Sequence, residues 1–297
     1  MLPVERSAHS YGPGVTGASQ SVLLELMTVL RSYRDALVLV GGWAPYFLLQ
    51  QHRRAGDAFS HAGSIDIDLA VDPIAVQEPQ YATIVDLLTE RGYRPAVTRR
   101  GTELPTSLER LVPSPLTQKP YTIRVDFLTP MDAAKGRQAP VQDGLLARKM
   151  KGCDVAFRHQ TILELTGTLP EGGQLTVPIR MADITASLAM KGIVLGERYR
   201  EKDAYDVYAL IAHYGDGPSS VAEALRPHRQ DPRVAEGLRN LHAAFGSRDA
   251  NGPAWVAAFL TGPFLAADRQ RIVTDAYMTV QEFFKLLDAP AAQSASS

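Results

Sequence analysis

"GSIDIDLAV", residues Gly63 to Val71, is the stretch on which the fold turns. Its β-branched and apolar residues are those of a short strand. Asp66 and Asp68 interrupt it two residues apart. Side chains alternate faces along a strand, so both carboxylates are expected on one face, about 6–7 Å apart. Ile65, Ile67 and Leu69 take the other face and read as core. Taken alone, a D-x-D is explained as well by a solvated strand face as by a site.

Composition sets the frame. The chain has 297 residues, 45% of them hydrophobic and 21% charged, which is enough for two soluble domains. A net charge of −1 gives no global basic signature of a nucleic-acid binder, although local basic patches stay open. The single cysteine, Cys153, excludes an internal disulfide framework and a Cys-rich metal site. None of the seven histidines falls at a zinc-binding spacing, and no Walker or G-x-S-x-G sequence occurs. No apolar run approaches a membrane span, and "MLPVERSAHSYGPG" lacks the order of a signal peptide. A cytoplasmic protein without a membrane partner is expected.

Periodicity changes character near residue 180. Residues 1–18, rich in Gly, Ser and Pro, read as a loose arm, and 21–33 as a helix. "ALVLV" (36–40) reads as a buried strand stopped by Gly41-Gly42, with a helix in "WAPYFLLQQ". Residues 81–93 read as a helix, "SLERLVP" and "YTIRVDFLTP" as strands, and 161–181 as a hairpin turning at Pro170 to Gly173. Helical spacing then covers 182–195, 201–214, 231–245, 253–260 and 268–288. The expected class is α+β. A mixed-sheet domain (19–180) precedes a helical domain (181–288), between the arm and a disordered tail (289–297).

Two features raise the D-x-D above a surface reading. Asp126 is a third acid on the polar face of an apolar strand, alternating with Ile123, Val125 and Phe127. If the strands are neighbours, three carboxylates converge, and like charges at that range repel. Oxygen-rich clusters suit Mg²⁺, and two such ions can activate an attacking oxygen and stabilise a leaving one. Gly41-Gly42, ending a strand and opening a helix, lets backbone N–H groups approach a phosphate. Strand, glycine pair, helix, D-x-D and a further strand acid together point to a nucleoside triphosphate site.

"LVGGWAPYFLL", "SIDIDLAV" and "IRVDFL" resemble the nucleotidyltransferase superfamily that shares its fold with DNA polymerase β. The resemblance implies that Asp66, Asp68 and Asp126 hold two Mg²⁺ ions and that Gly41 and Gly42 hold the NTP triphosphate. Ser64 matches the small hydroxyl residue before the D-x-D. Between Gly42 and Asp66 lie 23 residues, more than in compact members, so 50–63 is expected to be an inserted loop at the mouth of the site.

In the helical half, "MADITASLAMKGIVLGERYREKDAYDVYAL" (181–210) resembles the AbiEii-type nucleotidyltransferase toxins. Their Lys, Arg and K-D-x-x-D correspond to Lys191, Arg198 and Lys202-Asp203-Ala204-Tyr205-Asp206. Asp203 and Asp206 share one helix face. The resemblance implies that Lys191 meets the nucleotide phosphates, that Asp203 belongs to the nucleotide site, and that Asp206 completes catalysis, orienting either Lys191 or the acceptor hydroxyl. It further implies an RNA acceptor, the 3′ end of tRNA, and a cognate antitoxin partner. "ARKMKG" (147–152) and "RPHRQDPR" (226–233) read as solvated basic faces able to guide such an acceptor. "GGWA" with D-x-D also resembles the enzymes that nucleotidylate aminoglycoside and lincosamide antibiotics, which is the alternative activity. A non-catalytic binding protein is the third reading, opposed by the retained carboxylates and glycines.

Overall fold

Buried strands and one buried helix build a shared core, and their order fixes where the acids stand. The computed structural model describes residues 7–77, 82–198, 200–262 and 266–290. β1 (Leu37–Val40) is buried at every position and pairs antiparallel with β2 (Ile67–Val71). β2 pairs in parallel with β5 (Pro120–Pro130), in a register that sets Asp68 opposite Asp126. β4 (Glu103–Pro113) runs antiparallel to β5, with Ser107 opposite Asp126, and carries β3 (Arg94–Val97) on its outer edge. On the other flank β1 pairs in parallel with β9 (Gln174–Ala182), which forms the expected hairpin with β8 (Gln160–Thr168). β7 (Leu145–Met150) joins the end of β5 and pairs with β6 (Gln138–Gln142). Among the described residues these nine strands form one mixed sheet, ordered β3-β4-β5-β2-β1-β9-β8, with β7 and β6 branching from β5.

α1 (Pro13–Val29) packs against β5, β8 and β9, and α2 (Trp43–His52) follows the glycine turn. α3 (Ile84–Thr89) is closed by a reciprocal cap between Thr83 and Asp86, and α4 (Cys153–Arg158) follows β7. α5 (Ile184–Glu197) starts directly after β9, where the Asp183 carboxylate accepts from the Ala186 N–H at 2.9 Å. Every residue of α5 from Ile184 to Leu195 is buried, as an almost wholly apolar helix requires. Around it stand α6 (Glu201–His213), α7 (Pro218–Leu225) and α8 (Pro232–Phe245), with α9 (Asn251–Thr261) and α10 (Ala266–Asp288) beyond. One cluster of buried apolar side chains runs from Ala18 in α1 to Leu287 in α10, so sheet and helices share a core. No helix among the described residues is long and apolar enough to cross a membrane.

Three expectations need correction. The segment read as a loose arm is helical from Pro13 onward. Proline at the first turn loses no hydrogen bond, and a Cβ on Gly14 would stand only 2.6 Å from Tyr121 Oη. Its small residues reflect close packing on the β4–β5 hairpin. The basic run 147–152 is mostly strand β7 and not a solvated face. Lys149 is only 8% exposed, donating to Asp132 and, at 3.0 Å, to the Ala134 carbonyl. β3, β6, α4 and α7 were not anticipated, being short or carrying a weak pattern. Residues 1–6 of the arm, Tyr81, and 291–297 of the tail lie outside the described residues.

α5 and α8 cross where Gly192 meets Gly237, and a Cβ on Gly192 would run into the Gly237 backbone. Helix propensity alone would make Gly192→Ala stabilising by about 1 kcal/mol. The crossing predicts the opposite sign, a loss of about 1–3 kcal/mol, measurable by urea denaturation.

Candidate active site

The turn after β1 is shaped by what lies above it. Gly41 has φ +71, a left-handed conformation that favours glycine, and a Cβ there would run into the Asp68 carboxylate. Gly42 has ordinary helical angles, φ −78 and ψ −19, and caps α2 without a side-chain hydrogen bond. A Cβ on Gly42 would lie 2.8 Å from Ser64 Oγ and 3.6 Å from Lys202 Nζ. The two glycines therefore answer different demands: Gly41 admits the carboxylate, and Gly42 keeps open the corner shared with Ser64 and Lys202.

The structure brings Asp68 and Asp126 together on neighbouring strands. Asp66 stands in the bend just before β2, so the D-x-D straddles the start of the strand instead of lying within it. Ser64 is buried and donates its hydroxyl to the Asp66 carbonyl at 3.0 Å. Asp126 Oδ1 accepts from Ser107 Oγ at 2.5 Å. Burial first, then the charge of Asp126, pushes the Asp68 carboxyl up to about 7, with Asp66 adding and Arg148 and Lys191 opposing. Among the described residues, no three His, Cys, Asp or Glu side chains already stand as a cation's shell. The donor chemistry nonetheless fits a hard divalent ion: carboxylate oxygens only, and a carboxyl whose negative form lacks a counter-charge.

Behind this pair lies a closed ionic network. Lys191, on α5, donates to Asp203 Oδ1 at 2.7 Å and to Asp206 Oδ2 at 2.6 Å. Lys202 donates to Asp206 Oδ1, and so does His61 Nε2–H at 3.0 Å. The Gly63 N–H donates to His61 Nδ1 at 3.1 Å, which fixes the proton on Nε2. Burial and then Lys202 lower His61 to about 4, against the pull of Asp206, so the ring is neutral at pH 7. Burial alone would raise Asp206, but Lys191 and Lys202 hold it far below the usual carboxylate range. For Lys191 the effect of burial is outweighed by Asp203 and Asp206, and its value rises. Asp206 is fully buried and each of its partners is a protein donor. Of the two groups it could orient, Lys191 is the one bonded to Asp206 here. Asp203 Oδ2 makes no hydrogen bond and lies 3.6 Å from Arg198 Nη2.

The insertion between α2 and β2 is not a free loop at the mouth. It is pinned along α6. Arg54 pairs with Asp216 at 2.7 Å, His213 Nδ1 meets Asp57 Oδ2 at 2.7 Å, and the Phe59 ring stacks on His213 with centroids 3.7 Å apart. The Ala62 N–H donates to Tyr205 Oη at 3.0 Å. This strap joins α2, which opens at the glycine corner, to α6, which carries Lys202. Of the basic segments, Arg148 lies within electrostatic reach of Asp68, whereas Arg226 and Arg229 bond the Leu286 and Leu287 carbonyls of α10. The sequence reading missed His61, Ser107, Arg148 and Tyr205 as site residues. Ser107 lies on the polar face of β4 and was accessible to the same alternation argument. His61 carried no signal, since its partner is 145 positions away.

No family model and no curated protein matches the sequence. Solved structures do. An antigenic nucleotidyltransferase-like protein of Paracoccidioides brasiliensis is 12% identical, with a TM-score of 0.42, over 80% of this chain and 90% of its own. MenT4, a nucleotidyltransferase toxin of Mycobacterium tuberculosis, is 17% identical, with a TM-score of 0.39, over 96% of this chain and 88% of its own. JHP933 of Helicobacter pylori is 14% identical, with a TM-score of 0.36, over 89% of this chain and 93% of its own. These are loose likenesses of fold, and the chemistry has to be argued from the residues above.

Asp206→Ala strips two buried ammonium groups of a shared counter-ion. It is expected to cost about 3–5 kcal/mol in a denaturant titration. Asp66→Ala, at a half-buried bend, should change stability by less than about 1 kcal/mol.

Proposed function

We propose that this chain is a nucleotidyltransferase, which moves a nucleotide from NTP to the 3′ end of a tRNA with release of pyrophosphate. In this reading it is the cytoplasmic toxin of a toxin–antitoxin pair. The observation that carries the activity is the meeting of Asp68 and Asp126 on paired strands directly above the Gly41-Gly42 turn. Gly41 leaves the room that the Asp68 carboxylate takes, where a Cβ would collide with it. Arg148, beside Asp68, supports a polyanionic acceptor, since phosphate contacts need local basic charge.

Asp66, Asp68 and Asp126 would hold the divalent ions. When bound, Mg²⁺ screens the phosphate charge and makes the attacking hydroxyl more acidic. The chain's own groups prepare the rest. The uncapped N–H groups at the start of α2 face the corner where the triphosphate is received. Lys191, with Asp203 and Asp206, braces α5 against α6 and so holds the back wall of the cleft. In the reaction the acceptor oxygen bonds the α-phosphorus, the bond to pyrophosphate breaks, and the hydroxyl proton passes to water.

Purified protein incubated with each α-labelled NTP, Mg²⁺, and either total tRNA or an antibiotic panel tests this. Label is expected on tRNA, and it should vanish with EDTA and in Asp66→Ala and Asp68→Ala proteins that remain folded. Label on an antibiotic but not on RNA would move the chain to the small-molecule class. Transfer to no acceptor, or full transfer by either aspartate variant, would overturn the proposal.

A further inference from the structure

Two lysines enter the cleft from the helical side, and they differ in how far the protein satisfies them. Lys191 is 8% exposed and held by two carboxylates, each of its two short hydrogen bonds ending on a different one. Among the described residues Lys202 has one hydrogen-bonding partner, Asp206, which it shares with Lys191 and His61. Three rings also surround it. The ammonium lies 5.4 Å from the centroids of Tyr11 and Tyr205 and 5.8 Å from that of Phe259. Ring faces attract a cation without neutralising it.

Position separates the two lysines further. Lys202 Nζ stands 3.6 Å from where a Cβ of Gly42 would be, in the corner that Ser64 Oγ shares at the start of α2. The electrostatics agree with this placement. Burial lowers the Lys202 ammonium below its usual value, with Asp206 and Asp203 only partly compensating and the charge of Lys191 adding to the lowering, whereas Lys191 is raised.

We infer that Lys202, and not Lys191, is the side chain that meets the phosphates of the nucleotide, with Lys191 acting as the internal brace of the network. An arriving polyphosphate supplies a second hydrogen-bonding anion for Lys202, at the corner kept open by Gly42. The aromatic cage keeps the ammonium from swinging out to solvent and so holds it oriented before the ligand arrives. This rests on the nucleotide-site reading above, but it makes a claim about phosphate binding that stands apart from transfer.

The test is binding, measured by calorimetry on the full chain with inorganic triphosphate, a non-hydrolysable NTP analogue and the bare nucleoside. Lys202→Met keeps the volume and suits three aromatic neighbours. Should it not fold, Lys202→Gln, which retains a donor toward Asp206, carries the same comparison. Loss of one charge-assisted hydrogen bond predicts affinity for triphosphate and analogue weaker by about tenfold to a hundredfold, with nucleoside binding unchanged. Lys202→Arg should bind the analogue far more tightly than Lys202→Met. A folded Lys202→Met or Lys202→Gln protein that binds triphosphate like wild type overturns the inference, as does equal loss of nucleoside and triphosphate. Wild-type protein that binds triphosphate through Lys202 yet transfers no nucleotide keeps this inference while removing the proposed activity. Wild-type protein that binds neither triphosphate nor analogue removes both.

Discussion

Two carboxylates held opposite one another on paired strands, Asp68 and Asp126, set the condition that the neighbouring structure answers. Parallel register between β2 and β5 fixes them there, and neighbouring strands stand only about 4.8 Å apart. Neither side chain can leave without moving a buried strand, because Ile67, Leu69, Val125 and Phe127 anchor the opposite face. The surroundings relieve part of the repulsion. Ser107 donates to Asp126, Arg148 and Lys191 lower the potential at Asp68, and Gly41 yields the space its carboxylate needs. The remaining imbalance is what a divalent cation and a polyphosphate would remove together.

The helical half meets this problem from behind, and it does so without adding net charge. Lys191 and Lys202 are balanced by Asp203 and Asp206, with a neutral His61 completing the shell of Asp206. Removing one member of a buried ion network leaves its partner charged and unpaired, so such a network tolerates little displacement. The strap running from α2 to β2 is tied to α6 by Asp57, Phe59, His61 and Ala62, and to Asp216 just beyond it by Arg54. Sheet, strap and helices are thus coupled at the place where the candidate cleft lies. The apolar α5, wholly enclosed by its neighbours, delivers Lys191 into that joint.

Much of this was legible where periodicity and charge conflict. The alternation of Ile123, Val125 and Phe127 with polar residues located β5 and Asp126, and the G-G pair marked the end of β1. The helices from α5 onward followed their apolar spacing, apart from the short α7. What failed did so for physical reasons. Small residues in 13–18 looked loose but serve a close helix–hairpin contact. Lys149 looked solvated, yet β7 buries its stem and delivers its ammonium to Asp132. His61 could not be placed, because nothing local to it reveals a partner on α6. The K-D-x-x-D string drew attention to Lys191 and Asp206 as reactive groups, whereas burial shows them bonded chiefly to each other and their neighbours. Only three-dimensional packing shows that Lys191 bonds two carboxylates and Lys202 one.

The account stands most directly on the state of the Asp68 carboxyl. Its folded value lies above the ordinary carboxylate value, so Asp68 withdraws stability as pH rises from about 4 toward 7 in the metal-free protein. Carbon-detected NMR of the aspartate carboxyls, assigned with Asp68→Asn, can follow this titration directly. A midpoint near 7 without metal that falls when Mg²⁺ is added is the predicted result. A midpoint near 4 that Mg²⁺ leaves unmoved would contradict the reading of these paired carboxylates as a cation and triphosphate site.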